Sequence, residues 1–409
     1  MKKIYHVKVV LVMFFCALLV SCVGKTEKSK GDIWERCNVV ASWQVVNGDS
    51  LLSCDFSAAR QKIQLPLSSI LDTLEVVRLE NREDALVGRG WPEVSENYIG
   101  IRESRSPYKL FTREGKFIGN VGNVGQGPGE YTLIYSSQID EAHDRIYLLP
   151  WNARQVLAYD LRGQFIENIP LAYLVPKGYV QVDYEKRRVV VMNLAFEEME
   201  NISVAWLQDW EGNIIHENKS SQMLLQPDFS NEIYIHNREM DALTFSYLRS
   251  LPVPDSLYLY QADANKLTPL FTMDFGADSP LHNYLTCSGF YMTEIYGPNP
   301  DPKTTHLYTS VVVDRVIVDS RSLRGAHFCF MNDFLGGIHL EKSFLECGYT
   351  LYQDAGFGMC IEPSLLLELI EERLIEALPE KTRNFLLSFQ ESISTEDNNY
   401  VILGKVRNN

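Results

Sequence analysis

"YKLFTREGKFIGNV" (Tyr108–Val121), "VLAYDLRGQFIENI" (Val156–Ile169) and "VAWLQDWEGNIIHEN" (Val204–Asn218) read as three copies of one unit. Each is a short apolar strand, a charged turn containing glycine, and a second strand. The turn glycines Gly115, Gly163 and Gly212 lie 48 and 49 residues apart. Glycine suits such a turn because it accepts positive φ without steric cost. A weaker fourth copy, "LYLYQADANKLTPLF", puts Asn265 in the turn, and Asn is the next-best residue for that backbone. A fifth, "VIVDSRSLRGAHFCF", is expected to turn at Gly325.

Another strand pair precedes each hairpin. In the second unit "SSQID" leads through "EAHD" to "RIYLLP"; in the third "YVQVD" leads through "YEKR" to "RVVVMN". Four short strands in a repeat of about 50 residues are the mark of a β-propeller blade. A β-sandwich of hairpins is the rival, and the near-constant spacing favours the propeller. Residues 60–406 divided by about 50 give six or seven blades. "LDTLEVVRLE" (Leu71–Glu80) is an extra strand at one end and "NYVILGKV" (Asn399–Val406) a strand at the other. Terminal strands that share a blade close the ring and remove exposed sheet edges. Between them Leu366, Leu367, Ile370, Leu374 and Leu378 recur at helical spacing until Pro379, so 363–394 reads as a helical insertion. The expected fold is all-β: a six-bladed β-propeller over 60–409, with that insertion in its last blade and a closing strand at 399–406.

The N-terminus reads differently. Lys2, Lys3 and Lys8 flank the apolar run Val9–Val20, which falls short of the roughly 18 residues a membrane span needs. A basic start and a short apolar run make a secretory signal peptide over 1–21. "LVSC" places Cys22 as a lipobox cysteine, acylated and anchored to the envelope by its lipid. Residues 22–59 are then a lipidated tether and N-terminal segment. The location expected is extracytoplasmic, at the outer membrane, with the side left open.

Formal charge is −15, and loss of residues 1–21 with their three lysines makes it −18. No Lys/Arg-rich block stands out, which argues against a nucleic-acid partner. Six cysteines remain after Cys22 and none forms a CxxC pair, so zinc is not expected. They are read as buried thiols or disulfides, without a pairing.

Three features together resemble the Bacteroides-type six-bladed β-propeller lipoproteins, relatives of NHL-repeat propellers. They are the lipobox, the segment "LPLSSILDTLEVVRLEN" (Leu65–Asn81) and, most specifically, "GKFIGNVGNVGQGPGEYTLI" (Gly115–Ile134) with its GQGPGEY core. The resemblance covers residues 60–406 and is strongest from 65 to 171. It implies the fold and the anchoring, and it supplies no catalytic residues.

The glycine-rich loop is not a nucleotide cradle. A phosphate loop needs Lys after its last glycine and a helix beyond, whereas Gly129 is followed by Glu130, Tyr131 and the strand-like "TLIYSSQID". The loop instead joins the outer strand of one blade to the inner strand of the next. With strands a to d running from inside to outside, the a–b and c–d turns lie on one face. The b–c loops and d–a crossovers share the other, called the crossover face below. Loops held by a rigid scaffold are where binding sites sit. Arg105, Gln126, Glu130, Trp151, Asn152 and Arg154 are therefore the candidate binding residues, with Trp and Arg as favoured anchors. Gly125, Gly127, Pro128 and Gly129 are read as structural loop residues.

No HExxH, H-x-H or GxSxG motif is present, and no catalytic residue is assigned. No cofactor is evident. A channel Ca²⁺ or other divalent cation, with Glu130 and Asn152 contributing, stays open because such ligands come from different blades. The expected function is a membrane-anchored propeller that binds a protein, peptide or glycan through its loop-rich face. The alternatives are a metal-dependent hydrolase or lyase of the lactonase-like propeller type and a structural subunit of an envelope complex.

Overall fold

A tight turn between two strands closes when a residue takes positive φ, and the repeat supplies one each time. Gly115, Gly163 and Gly212 have φ of 85°, 80° and 87°, and Asn265 has 47°. A computed structural model describes residues 33–407, apart from 198, 200–201, 229, 250–254, 299–309, 341–343, 345–346 and 353–355. It shows why the spacing recurs. The Gly115 carbonyl accepts the Glu80 N–H at 2.8 Å, and that of Gly163 accepts the Gly122 N–H at 3.3 Å. A Cβ on Gly115 would strike the Arg78 carbonyl, and one on Gly163 the Asn120 carbonyl. Asn265 makes the same junction with its side chain, its Nδ2 donating to the Glu217 carbonyl at 2.8 Å. Each c–d turn thus abuts the outer strand of the preceding sheet. The fifth unit corrects the expectation at Gly325. It turns at Leu323, φ 59°, and Gly325 lies inside the strand Arg324–Asn332.

The architecture is an all-β propeller with two short helices, and the expected six blades are corrected to five of contiguous chain. Blade 1 is Gly90–Val94, Tyr98–Glu103, Tyr108–Thr112 and Phe117–Val121. Blade 2 is Ile134–Asp140, Arg145–Pro150, Ala153–Tyr159 and Phe165–Val175. Blade 3 is Gly178–Asp183, Arg188–Asn193, Ala205–Asp209 and Ile214–Asn218. Blade 4 is Glu232–Ile235, Leu243–Leu248, Leu257–Gln261 and Lys266–Asp274. Blade 5 is Leu281–Cys287, Phe290–Pro298, Ser310–Asp319 and Arg324–Asn332. A composite sheet lies between blades 5 and 1. Its strands Gly348–Tyr352, Gly356–Ile361 and Tyr400–Val406 are late in the chain, and its outer strand is the early Leu71–Arg78. Tyr400 pairs with Arg78 and Ile402 with Val76, antiparallel.

Apolar side chains on alternate strand positions fill the gaps between neighbouring sheets. Tyr108, Leu110, Ile146 and Tyr159 pack between blades 1 and 2; Tyr147, Val180, Val189 and Trp206 pack between blades 2 and 3. Ile99, Phe111, Val401 and Leu403 join blade 1 to the composite sheet, so the packing closes on itself. The helices Pro363–Ile375 and Glu380–Glu391 are the b–c connection of the composite sheet. Leu366, Leu369, Ile370 and Leu386 bury their apolar side against that sheet and blade 5.

The N-terminal segment adds strands outside the ring. Asp49–Asp55 runs parallel to the outer strand of blade 4, with Leu52 opposite Phe271. Lys62–Pro66 runs parallel to the outer strand of blade 5, with Ile63 opposite Phe328. Ala41–Val46 pairs with Asp49–Asp55 and is the outermost strand of that sheet. The six described cysteines are free thiols. Burial pushes Cys54 and Cys360 up to about 12 and Cys287 to about 11, which keeps them as inert thiols. The signal peptide and Cys22 lie outside the described residues. No described helix is long and apolar enough to cross a membrane.

Candidate functional site

Inner strands of a propeller carry side chains toward the axis, and here several are charged or aromatic. Tyr135 is the second residue of the inner strand of blade 2, Lys177 immediately precedes that of blade 3, and Glu232 opens that of blade 4. Each lies at the crossover-face end of its strand, and the three meet. The Tyr135 hydroxyl donates to Glu232 Oε2 at 2.6 Å. Lys177 Nζ donates to Glu232 Oε1 at 2.5 Å and to the Asn231 carbonyl at 2.9 Å. The ammonium also stands 5.6 Å from the centre of the Tyr135 ring. Burial, and after it Glu232, push the Tyr135 hydroxyl far above the usual phenol range, so it stays a neutral donor.

Blade 1 completes that side. Arg102 Nη1 donates to the carbonyls of Ile134 and Tyr135 at 3.1 and 2.6 Å. Its guanidinium stacks 5.3 Å from the centre of the Trp91 ring, held there because Trp91 and Arg102 are directly opposed in the sheet. On the other side Glu294 of blade 5 accepts Arg315 Nε at 3.0 Å and the hydroxyls of Tyr349 and Tyr296 at 3.2 and 3.3 Å. Burial, then Glu294, raise both phenols. Tyr234 lies on the inner strand of blade 4 and is still 37% exposed, so solvent reaches this part of the axis. The mouth therefore offers aromatic faces, neutral hydroxyl donors, three cations (Lys177, Arg102 and Arg315) and two carboxyl groups.

The opposite end is stoppered. Arg238, in the a–b turn of blade 4, reaches Glu93 Oε1 at 3.1 Å and the Val94 carbonyl at 3.1 Å in blade 1. Its guanidinium lies 5.1 Å from the centre of the Tyr352 ring of the composite sheet. Glu93 also accepts the Ile139 N–H at 2.9 Å, the Tyr108 hydroxyl at 3.2 Å and the Ser137 hydroxyl.

His236 begins the same blade 4 turn. It is buried, with Nε2 at 2.9 Å from Ser246 Oγ, and burial drives it down to about 3. The unfolded chain then binds more protons than the folded one between pH 3 and its ordinary value near 6.5. Stability is fully present above that value and is lost as pH falls. Between pH 7 and 5 His236 is expected to remove about 2 kcal/mol. Urea midpoints across this range check it, and a His236→Gln variant should flatten the slope.

Five of the residues expected from sequence lie on crossover-face connections, and Arg154 is the second residue of the blade 2 strand Ala153–Tyr159. Arg105 sits in the b–c turn of blade 1 with φ 64°, and Asn152 in that of blade 2 with φ 54°. Trp151 is 38% exposed beside Asn152, and Arg154 and Gln126 are exposed. Glu130 turns inward. Its Oε2 accepts the Gly127 N–H at 2.8 Å, and a Cβ on Gly125 would collide with that carboxyl group. Gly129 has φ 70°, and its carbonyl accepts the Tyr159 hydroxyl at 2.8 Å. Tyr131 donates to the Val121 carbonyl at 2.5 Å and accepts the Tyr108 N–H at 2.8 Å. GQGPGEY is thus wrapped around its own acid and tyrosine, and clasps blade 1 to blade 2.

Sequence reasoning missed Trp91, Arg102, Tyr135, Lys177, Glu232 and Glu294. For Tyr135 and Glu232 the available signal was polar residues in the first strand of a unit, "IYSSQID" and "EIYI", where strands between packed sheets are otherwise apolar; Arg102 and Glu294 lie on second strands and carry no such signal. Among the described residues no group of three or more His, Cys, Asp or Glu side chains is arranged to hold a metal ion.

A family model, the domain of unknown function DUF4934, matches residues 53–405. The chain belongs to the DUF4934 family. Among solved structures, this DUF4934 protein is similar to BF0058 of Bacteroides fragilis, described as an exported protein. The TM-score is 0.56 at 14% identity, over 87% of this chain and 99% of that one. A DUF4221 family member from Bacteroides vulgatus aligns with TM-score 0.44 and 10% identity, over 83% of this chain and 98% of the other. No curated protein matches the sequence.

Proposed function

We propose that this chain is a lipid-anchored, extracytoplasmic binding protein whose ligand, a glycan or a peptide, docks at the crossover-face mouth. The observation that carries the reading is the meeting of Tyr135, Lys177 and Glu232, from three blades, in one hydrogen-bonded set. Aromatic faces with fixed donors and acceptors suit sugar rings and peptide groups alike. Arg105, Gln126, Trp151, Asn152 and Arg154 form the rim, where exposed loop residues add contacts. The composite sheet acts as the sixth blade, so the mouth is ringed on every side. Export accords with the signal-like N-terminus and with the description of BF0058.

Two measurements test this. Cys22→Ala is expected to move the protein from the membrane fraction to the soluble one; continued sedimentation with membranes contradicts the anchor. The soluble Cys22→Ala chain, titrated with oligosaccharides and with short peptides, should show saturable binding to one class that weakens in Trp91→Leu. Binding to neither class would sink the docking role.

A further inference from the structure

The outermost strand Ala41–Val46 is uncovered. Val39, Trp43 and Val45 are 58%, 51% and 76% exposed, and Trp43 and Val45 share one face of the strand. From Asn38 to Gly48 there is no charged residue, in a chain whose net charge is −15. The first acid after the Asn47–Gly48 turn, Asp49, is neutralised by Lys266 Nζ at 2.5 Å. Lys266 begins the outer strand of blade 4 at its c–d turn, so the hairpin tip lies on the face opposite the mouth.

The described chain begins on that same face. Trp34 stacks on Phe290, with ring centres 5.3 Å apart, and Phe290 follows the a–b turn of blade 5. From Cys22 to Ile33 is eleven residues, a reach of at most about 40 Å. A lipid on Cys22 would therefore hold this face near the bilayer, with a neutral Trp- and Val-bearing hairpin beside it.

We propose that the Ala41–Asp55 hairpin is a second membrane contact: Trp43 and Val45 enter the interface of the bilayer that carries the Cys22 lipid, so the mouth points away from it. This rests on the anchored reading above. Tryptophan prefers the headgroup level, where water still reaches the unpaired edge of the strand. A second copy pairing along that edge is the competing occupant.

The test uses the lipidated chain in vesicles of phosphatidylethanolamine and phosphatidylglycerol, carrying Val45→Cys or, as a control, Gln126→Cys on the crossover face. Reaction with a bulky water-soluble maleimide is timed. Val45→Cys is expected to react at least tenfold more slowly in vesicles than in a Cys22→Ala background in solution, with Gln126→Cys equally fast in both. Brominated acyl chains should quench a fluorescence component that Trp43→Phe removes. Equal rates at Val45→Cys overturn the proposal. So does slow labelling already present in the soluble background, which identifies a second copy as the cover. If the chain fails to sediment with vesicles at all, the anchored reading falls and takes the orientation with it. Sedimentation with unprotected Val45→Cys removes the orientation alone.

Discussion

A chain ended at Asn398 is expected to yield no folded monomer. Removing residues 399–409 takes away Tyr400–Val406, the strand that bonds to Gly356–Ile361 on one side and Leu71–Arg78 on the other. Val401, Ile402 and Leu403, all buried, leave with it, and Leu71 and Met359 lose their cover. Truncating one buried Leu or Ile costs about 2–5 kcal/mol. Losing three together, with two ladders of backbone bonds, exceeds the ~5–15 kcal/mol total stability of a domain. Far-ultraviolet circular dichroism and limited proteolysis report the outcome. A truncated chain with native protease resistance would show that the ring does not depend on this closure.

Gly129→Val is expected to be the most damaging single change in the glycine-rich loop, at about 3 kcal/mol. Two costs add. A β-branched residue must hold φ near 70°, and its Cβ would lie 2.6 Å from Cγ of the Phe165 ring. That ring is packed edge-on against Tyr159 at 5.7 Å between centres, and Tyr159 bonds to the Gly129 carbonyl. Gly127 has no positive φ to hold, and its Cβ would meet the end of the flexible Glu130 side chain at 3.0 Å. Gly127→Val should therefore cost less than Gly129→Val and still more than Trp151→Ala, which removes an exposed ring. Urea midpoints of the three variants rank them; equal midpoints would deny the loop its clasping role.

The propeller could be read from sequence because its junctions leave a regular trace. Gly115, Gly163, Gly212 and Asn265 are fixed by one recurring contact, a c–d turn pressed on the preceding outer strand, so their spacing reports the ring directly. Gly325 misled because Leu323 takes the left-handed backbone while the glycine relieves crowding by Val40 and the Ile317 carbonyl. The blade count was blurred for a related reason. The composite sheet draws its outer strand from residues 71–78, more than 300 positions from its partner strand, and no local periodicity records that pairing. The site was less legible. Exposed loop residues such as Trp151 and Arg105 announce themselves by type, whereas Tyr135, Lys177 and Glu232 become neighbours only when three blades converge.

In the proposed docking the decisive contacts lie at the mouth, with the rim in a supporting role. The affinity of the soluble Cys22→Ala chain for the oligosaccharide or peptide it binds, measured by calorimetry beside Lys177→Met and Trp151→Ala versions, tests that directly. At least a tenfold loss is expected for Lys177→Met, measured at a temperature where circular dichroism shows the variant folded, and a loss of only a few-fold for Trp151→Ala. Undiminished affinity in Lys177→Met would contradict that docking.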